Sequence, residues 1–258
     1  MNIYTFHEDL DSSHELETQN ELMSLWKNSW VNNGWNPIVL NNDLAKTHHY
    51  YKEFSKSMKL IHAKITGNKI KKYGLYCYTR WLAFSALESD EPIFVCDYDL
   101  INNGLKPRDI IQEGGIHFMS DYCPCFVSGS SHSFFKLTKV FKNISEMRVD
   151  SLKNNIFTSS GLKSNIYHDQ DVLVNNFSNQ HCDFGSSLSR DMNLKFSNKF
   201  VGQMNHKKTF DNFLFKKKLP KALHFSRSSM ERFKRHSPSD LSLDELRISI
   251  IREKFANY

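Results

Sequence analysis

Two aspartates one residue apart, Asp97 and Asp99, stand where the apolar stretch "PIFVCDYDLI" gives out. In an extended strand residues i and i+2 share a face, about 6–7 Å apart, so the spacing predicts both carboxylates on one side of a strand end. Like charges at that distance repel, and one takes up a proton unless a cation sits between them. Hard divalent cations such as magnesium and manganese take oxygen ligands, commonly one or two carboxylates together with substrate phosphates. The pair therefore reads as part of a cation site.

The elements that must position it follow from periodicity. "NIYTF" reads as a short opening strand. "HELETQNELMSLWKNSWVNNGW" carries Leu16, Leu22, Leu25, Trp26 and Trp30 at helical spacings and closes at Gly34, and "NPIVL" is a second strand. Strand, helix and strand in that order make a parallel unit. A helix over "YGLYCYTRWLAFSALES" then leads into the aspartate strand, whose unbroken apolar run suits a parallel strand covered on both faces. Ligands of open α/β sheets bind beyond the carboxyl ends of the strands, where Asp97 and Asp99 lie. Further on, "CPCFVSGS" reads as a strand ending at Ser128, Gly129 and Ser130, followed by a helix over "HSFFKLTKVFKNI". Asp169 and Asp171 open an apolar helical run, where acids favour the helix dipole. Ser242 with Glu245 is a capping box that opens a last helix. The division expected is one catalytic domain over 1–238, with a C-terminal helix in 239–258 packed on it.

Composition narrows the classes. The chain has 258 residues, 40% of them hydrophobic, enough for a sizeable core. No apolar stretch approaches the roughly 20 residues of a membrane span, and "MNIYTFHEDL" lacks a signal-peptide pattern, so a cytoplasmic protein is expected. Five cysteines make no disulfide framework; Cys123 and Cys125 have no second pair at zinc spacing, and a structural role is expected for them. The net charge of +6 is uneven: residues 195–235 hold twelve Lys or Arg, among them Lys216, Lys217 and Lys218, against two acids. That density suggests an anionic partner, either a phosphorylated small molecule or a nucleic-acid backbone.

The ordered set of "NIYTF", "GWNPIVL", "YTRWLAF", Asp97-Tyr98-Asp99, "HDQDVL" and "ALHFS" resembles the nucleotide-sugar glycosyltransferases of the type A (GT-A) fold, over about two thirds of the chain. The resemblance implies a mostly parallel central sheet flanked by helices, with a C-terminal helical extension. It also implies a manganese or magnesium ion bridging the Asp-x-Asp residues and the donor's diphosphate, with a UDP-sugar ahead of other donors. Asp99 would bind the metal directly, and Asp97 the ribose, the metal or a metal-bound water. His224 would complete the metal shell. Arg80 would orient the donor or Asp97, and Thr5, Phe6, His7 and Tyr98 would lie by the nucleoside. Ser128 and Gly129 would form the floor under the donor sugar, and Asp169, or else Asp171, would serve as general base for the acceptor hydroxyl. The acceptor implied is a saccharide ahead of DNA.

Two readings from other classes compete. "FVCDYDLI" also resembles the first motif of haloacid-dehalogenase-like phosphatases, in which the first aspartate is a nucleophile, although that motif usually sits in the first strand. A non-catalytic nucleic-acid-binding protein would account for the basic stretch but leave the paired aspartates unexplained.

Overall fold

The structure, a computed structural model, describes residues 1–9, 13–89, 91–110, 114–120, 123–153, 156–157, 163–164, 167–177, 193–197, 199–204, 206–215, 218–237 and 239–255. Strand β1 (Asn2–Phe6), helix α1 (Ser13–Val31) and strand β2 (Asn36–Leu40) form the opening parallel unit. Gly34, at φ +83°, allows the reversal between α1 and β2: its N–H donates to the Val31 carbonyl at 2.9 Å, and Trp35 N–H to the Trp30 carbonyl at 3.1 Å. Helices α2 (Asn42–Thr47), α3 (Tyr51–Thr66) and α4 (Lys72–Ser85) lead to strand β3 (Ile93–Cys96). With β5 (Ile116–Phe118), β6 (Phe126–Gly129) and β9 (Leu194–Phe196), these strands make a six-stranded sheet of order β2-β1-β3-β6-β5-β9. Five strands run parallel and β6 alone runs against them, so the molecule is a mixed α/β fold with a mostly parallel sheet.

Strand β3 shows why its run is apolar throughout. Phe94 and Cys96 enter one core with Trp26 and Trp30 of α1, while Ile93 and Val95 enter another with Trp81 of α4 and with Phe134 and Phe141 of α5 (Ser131–Met147). Period-two alternation thus fills both faces of the sheet. Three α1-side indoles hold this region: Trp26 Nε1 donates to Cys96 Sγ at 3.3 Å, Trp30 Nε1 to the Leu100 carbonyl at 3.2 Å, and Trp35 Nε1 to the Leu105 carbonyl at 2.8 Å.

Two expectations about direction are corrected. The aspartate strand is not continuous. It stops at Cys96, turns through Asp97–Leu100 with Leu100 N–H donating to the Asp97 carbonyl at 3.0 Å, and resumes as β4 (Leu100–Asn102) in a second sheet. There β4 pairs antiparallel with β11 (Ala222–His224), which runs parallel to β10 (Val201–Gln203). Asp97 and Asp99 therefore converge through a turn between two sheets, not through alternation on one strand. Second, because β6 opposes β3, Ser128 lies beside Phe94 and Gly129 beside Ile93, toward the end of β3 away from Asp97. Ser130 is occupied as the N-cap of α5, its hydroxyl accepting from Ser133 N–H at 3.2 Å. The structure thus moves Ser128 and Gly129 away from the aspartates they were expected to serve.

Beyond the short α6 (Val149–Leu152) and the pair β7 (Ile156–Phe157) and β8 (Lys163–Ser164), helix α7 (Asp169–Phe177) returns to the sheet. Helices α8 (Lys207–Leu214), α9 (Arg227–His236) and α10 (Leu243–Lys254) complete the order. The Ser242–Glu245 capping box opens α10, whose Ile248 and Ile251 join the core containing Leu22 and Trp26, and Arg252 pairs with Glu21 of α1. No helix among the described residues is long and apolar enough to cross a membrane.

Candidate functional site

Three elements bring charge to the turn after β3, and a fourth brings a neutral amide. From β11, His224 Nε2 lies 3.2 Å from Asp99 Oδ1 and 3.9 Å from Asp97 Oδ2. The register sets this, since His224 pairs with Leu100 across the second sheet and Phe225 N–H donates to the Asp99 carbonyl at 2.9 Å. From α4, Arg80 Nη1 donates to Asp97 Oδ1 at 2.6 Å, and its Nε and Nη2 donate to Asp169 Oδ2 at 3.0 and 2.7 Å. From α10, Arg247 Nη1 donates to Asp244 at 2.7 Å, and its Nη2 stands 3.9 Å from Asp99 Oδ2. Gln203 of β10 accepts a hydrogen bond from His224 Nδ1 at 2.7 Å.

These neighbours divide the two aspartates. Burial disfavours charge on Asp99, but His224 and Arg247 outweigh it and hold the carboxyl down to about 2. Asp97 goes the other way: burial, with Asp99 adding to it, pushes it up to about 6 against Arg80 and His224. Burial also opposes the proton on His224, yet Asp99 and Cys123 raise that group well above the ordinary range. The His224 imidazolium thus stands by both carboxylates, with Arg80 on Asp97 and Arg247 near Asp99.

A stability consequence arises here. The Asp97 carboxyl titrates at about 4 in the unfolded chain and at about 6 in the fold, so between those values the folded form binds more protons. Stability of the metal-free protein therefore falls as pH rises from about 4 to about 6, whereas the Asp99 contribution is lost only on acidification below about 4. Asn at 97 imitates the protonated form. Asp97→Asn should lack that fall and be more stable than the parent at pH 7 by on the order of 2 kcal/mol, as urea midpoints at pH 4.5 and 7 will show. An equal or lower midpoint at pH 7 would contradict it.

The structure changes the role expected of Asp169. It is 2% exposed; its Oδ2 accepts from Arg80 twice and from Trp81 Nε1 at 2.9 Å, and its Oδ1 accepts from Gln170 N–H at 2.8 Å. Burial disfavours its charge, but Arg80 and His168 hold it below the ordinary carboxylate range. A carboxylate so enclosed and so fully bonded anchors Arg80 and presents no free oxygen to an acceptor hydroxyl. Asp171 is buried as well, with Oδ2 accepting from His168 N–H at 2.9 Å. Neither stands as an open general base in this arrangement.

At the end of β1 the His7 ring meets Tyr98 edge-on at 5.2 Å, and Phe6 lies 6.1 Å from Tyr76. Thr5 is fully enclosed, whereas Phe6 and His7 are half-buried. The basic stretch spreads over several elements. Lys221 pairs with Asp109 at 2.9 Å, Arg227 with Glu231 at 3.4 Å, and Lys234 donates to the Leu241 carbonyl at 2.8 Å. Lys216 and Lys217 lie outside the described residues.

Sequence reasoning missed Trp81, Gln203 and Arg247. Trp81 carries a readable signal, since it follows Arg80 and its indole N–H must find a partner when buried. Asp97, Asp99 and His224 each offer a donor atom, all within 4.8 Å of one another; two carboxylates and an imidazole suit manganese, or magnesium with less help from the nitrogen.

No family model and no curated protein matches the chain. Among solved structures it is similar to the apo form of the glycosyltransferase GlyE of Streptococcus pneumoniae TIGR4, at 14% identity and a TM-score of 0.45, over 99% of this chain and 63% of that one. This chain thus spans less than two thirds of the length of GlyE. It is also similar to the galactosyltransferase LgtC in complex with donor and acceptor sugar analogs, at 9% identity and a TM-score of 0.46, over 96% of each chain. The likeness is loose in both sequence and overall shape.

Proposed function

We propose that this protein is a metal-dependent glycosyltransferase of the GT-A type that moves a sugar from a nucleoside-diphosphate donor, a UDP-sugar first, to a saccharide hydroxyl. The observation that carries this reading is the convergence of Asp97, Asp99 and His224 within 4.8 Å on a turn at the carboxyl end of a sheet strand. A divalent ion held there would act as a Lewis acid on the leaving diphosphate. The chain's own residues do the rest. Asp99, kept ionised by His224 and Arg247, would ligate the ion; Asp97, oriented by Arg80, would ligate beside it; Asp169 fixes Arg80 from behind. His7 and Tyr98 stand beside the same turn and suit the nucleoside.

The test is a panel of nucleoside diphosphates titrated into purified protein with and without manganese, read by thermal stability. A donor-site ligand at 100 times its dissociation constant should stabilise by about 2.7 kcal/mol, and only when the metal is present. Stabilisation by one diphosphate names the base. If no diphosphate stabilises, the aspartates are not a donor site and the phosphatase reading takes precedence.

A further inference from the structure

His224 faces two donor sets at once. Its Nε2 looks to Asp97 and Asp99, while its Nδ1 lies 3.9 Å from Cys123 Sγ, and the sulfurs of Cys123 and Cys125 with one imidazole nitrogen fall within 4.8 Å of one another. The two cysteines alone lack the ligand count of a zinc site; the fold supplies the third ligand from β11, about a hundred residues downstream. We propose that Cys123, Cys125 and the Nδ1 of His224 bind a soft divalent ion of the zinc class, at a site separate from the aspartate pair and sharing only the imidazole with it.

The chemistry of the donors selects the ion. Two thiolates and an imidazole suit zinc, at about 2.3 Å to sulfur and about 2.0 Å to nitrogen, so atoms now within 4.8 Å need only small side-chain rotations to close on it. Binding forms two zinc–sulfur bonds and one zinc–nitrogen bond and releases to solvent the protons that the thiols and Nδ1 hold, leaving the two thiolates to balance the ion's charge and the imidazole neutral. The second shell is already in place. An ion on Nδ1 leaves the proton on Nε2, which donates to Asp99 at 3.2 Å, the carboxylate–histidine–metal arrangement that orients ligating imidazoles. Gln203 now covers the same atoms, its oxygen accepting from Nδ1 at 2.7 Å and its Nε2 donating to Cys125 Sγ at 3.4 Å; it is the group that the ion displaces. Cys123 is half-buried and gives an entry path, while Cys125 is enclosed.

This site stands apart from the transferase reading; only its consequence rests on it. Zinc at Nδ1, with the proton kept on Nε2, takes His224 from the harder ion and leaves that ion the two carboxylates alone.

The experiment titrates the metal-free full-length protein with cobalt as a spectroscopic stand-in for zinc. Thiolate-to-cobalt charge-transfer absorption should saturate at one ion per chain, persist in Cys77→Ser, disappear in Cys123→Ser, and require about 10–100-fold more cobalt in Asp99→Asn. Cobalt bound without that absorption sits on the aspartates alone and overturns the proposal, as does absorption that survives Cys123→Ser. Should Cys123→Ser prove unfolded by circular dichroism, alkylation of the parent protein decides instead. One equivalent of zinc should shield Cys123 and leave Cys77 as reactive as before; equal modification of Cys123 with and without zinc overturns the site. Neither readout involves a nucleotide or a sugar, so both stand whether or not transfer is found.

Discussion

Arg80→Met should destabilise the fold by about 3–5 kcal/mol, the cost of removing one partner from a buried ion pair while the other charge stays enclosed. The guanidinium is the hub of three bonds, one to Asp97 at 2.6 Å and two to Asp169 Oδ2 at 2.7 and 3.0 Å, and it stacks over the Trp81 ring at 5.1 Å. Methionine keeps the apolar stem and removes the charge, which leaves Asp169, 2% exposed, with the Trp81 N–H, the Gln170 amide and the His168 ring at 3.6 Å. Two further results separate this account from a generic packing loss. The deficit should shrink on acidification, because unpaired carboxylates take up protons and the fold no longer carries their charge. Adding Asp169→Asn should recover part of it, with a coupling between the two substitutions of about 1–3 kcal/mol in a double-mutant cycle. Urea unfolding at pH 7 and pH 4.5 measures all of these. A loss below about 1 kcal/mol, unchanged by pH, would reduce Arg80 to an ordinary surface pair.

The same residues mark how far the sequence could be read. Periodicity placed β1, α1, β2, α4, β3, α5 and α10, because each element buries one stripe or both faces and the pattern records it. Strand direction leaves no such record: alternation along β6 is the same either way round, so Ser128 and Gly129 were assigned to the wrong end of β3. The break after Cys96 was hidden for a similar reason. Leu100, Ile101 and Asn102 continue the apolar run but pair with β11, and only the register of the second sheet says so. Asp169 and Asp171 were legible as acids at the start of a helix, yet whether an acid faces a ligand or an arginine depends on α4, some ninety residues earlier. Cys123 and Cys125 looked short of ligands because the nearest candidate, His224, arrives only when β4 and β11 pair. Arg247 was read as part of a capped terminal helix, and the helix packing against α1 is what brings its guanidinium beside Asp99.

Asp99→Asn should abolish manganese-dependent stabilisation by the nucleoside diphosphate and lower sugar transfer by at least about a hundredfold, more than loss of an outer-shell partner costs a metal site. The amide keeps the shape and one oxygen but removes the charge that His224, at 3.2 Å, and Arg247, at 3.9 Å, are arranged to hold. Without that anion the imidazolium loses the largest of the influences that raise it, and Asp97 loses the neighbour that helps push its carboxyl up. Asp97 should then stay ionised to lower pH, against Arg80 alone. The change should remove the stability that the depressed Asp99 carboxyl contributes at pH 7, about 2–3 kcal/mol, and no more, because Arg247 retains Asp244 at 2.7 Å and His224 retains Gln203 at 2.7 Å. The effect is thereby distinguished from that of Arg80→Met: ligand response and turnover are lost with the smaller of the two falls in metal-free stability. Asp109→Asn, which removes the charge that pairs with Lys221 and accepts from the Lys106 N–H away from Asp99, serves as the control and should leave both readouts intact. An Asp99→Asn protein that still answers to manganese and diphosphate would place the donor elsewhere on the molecule. One that answers to neither but melts far below the parent would mean that Asp99 is needed by the fold itself, with His224 and Arg247 as structural counter-charges.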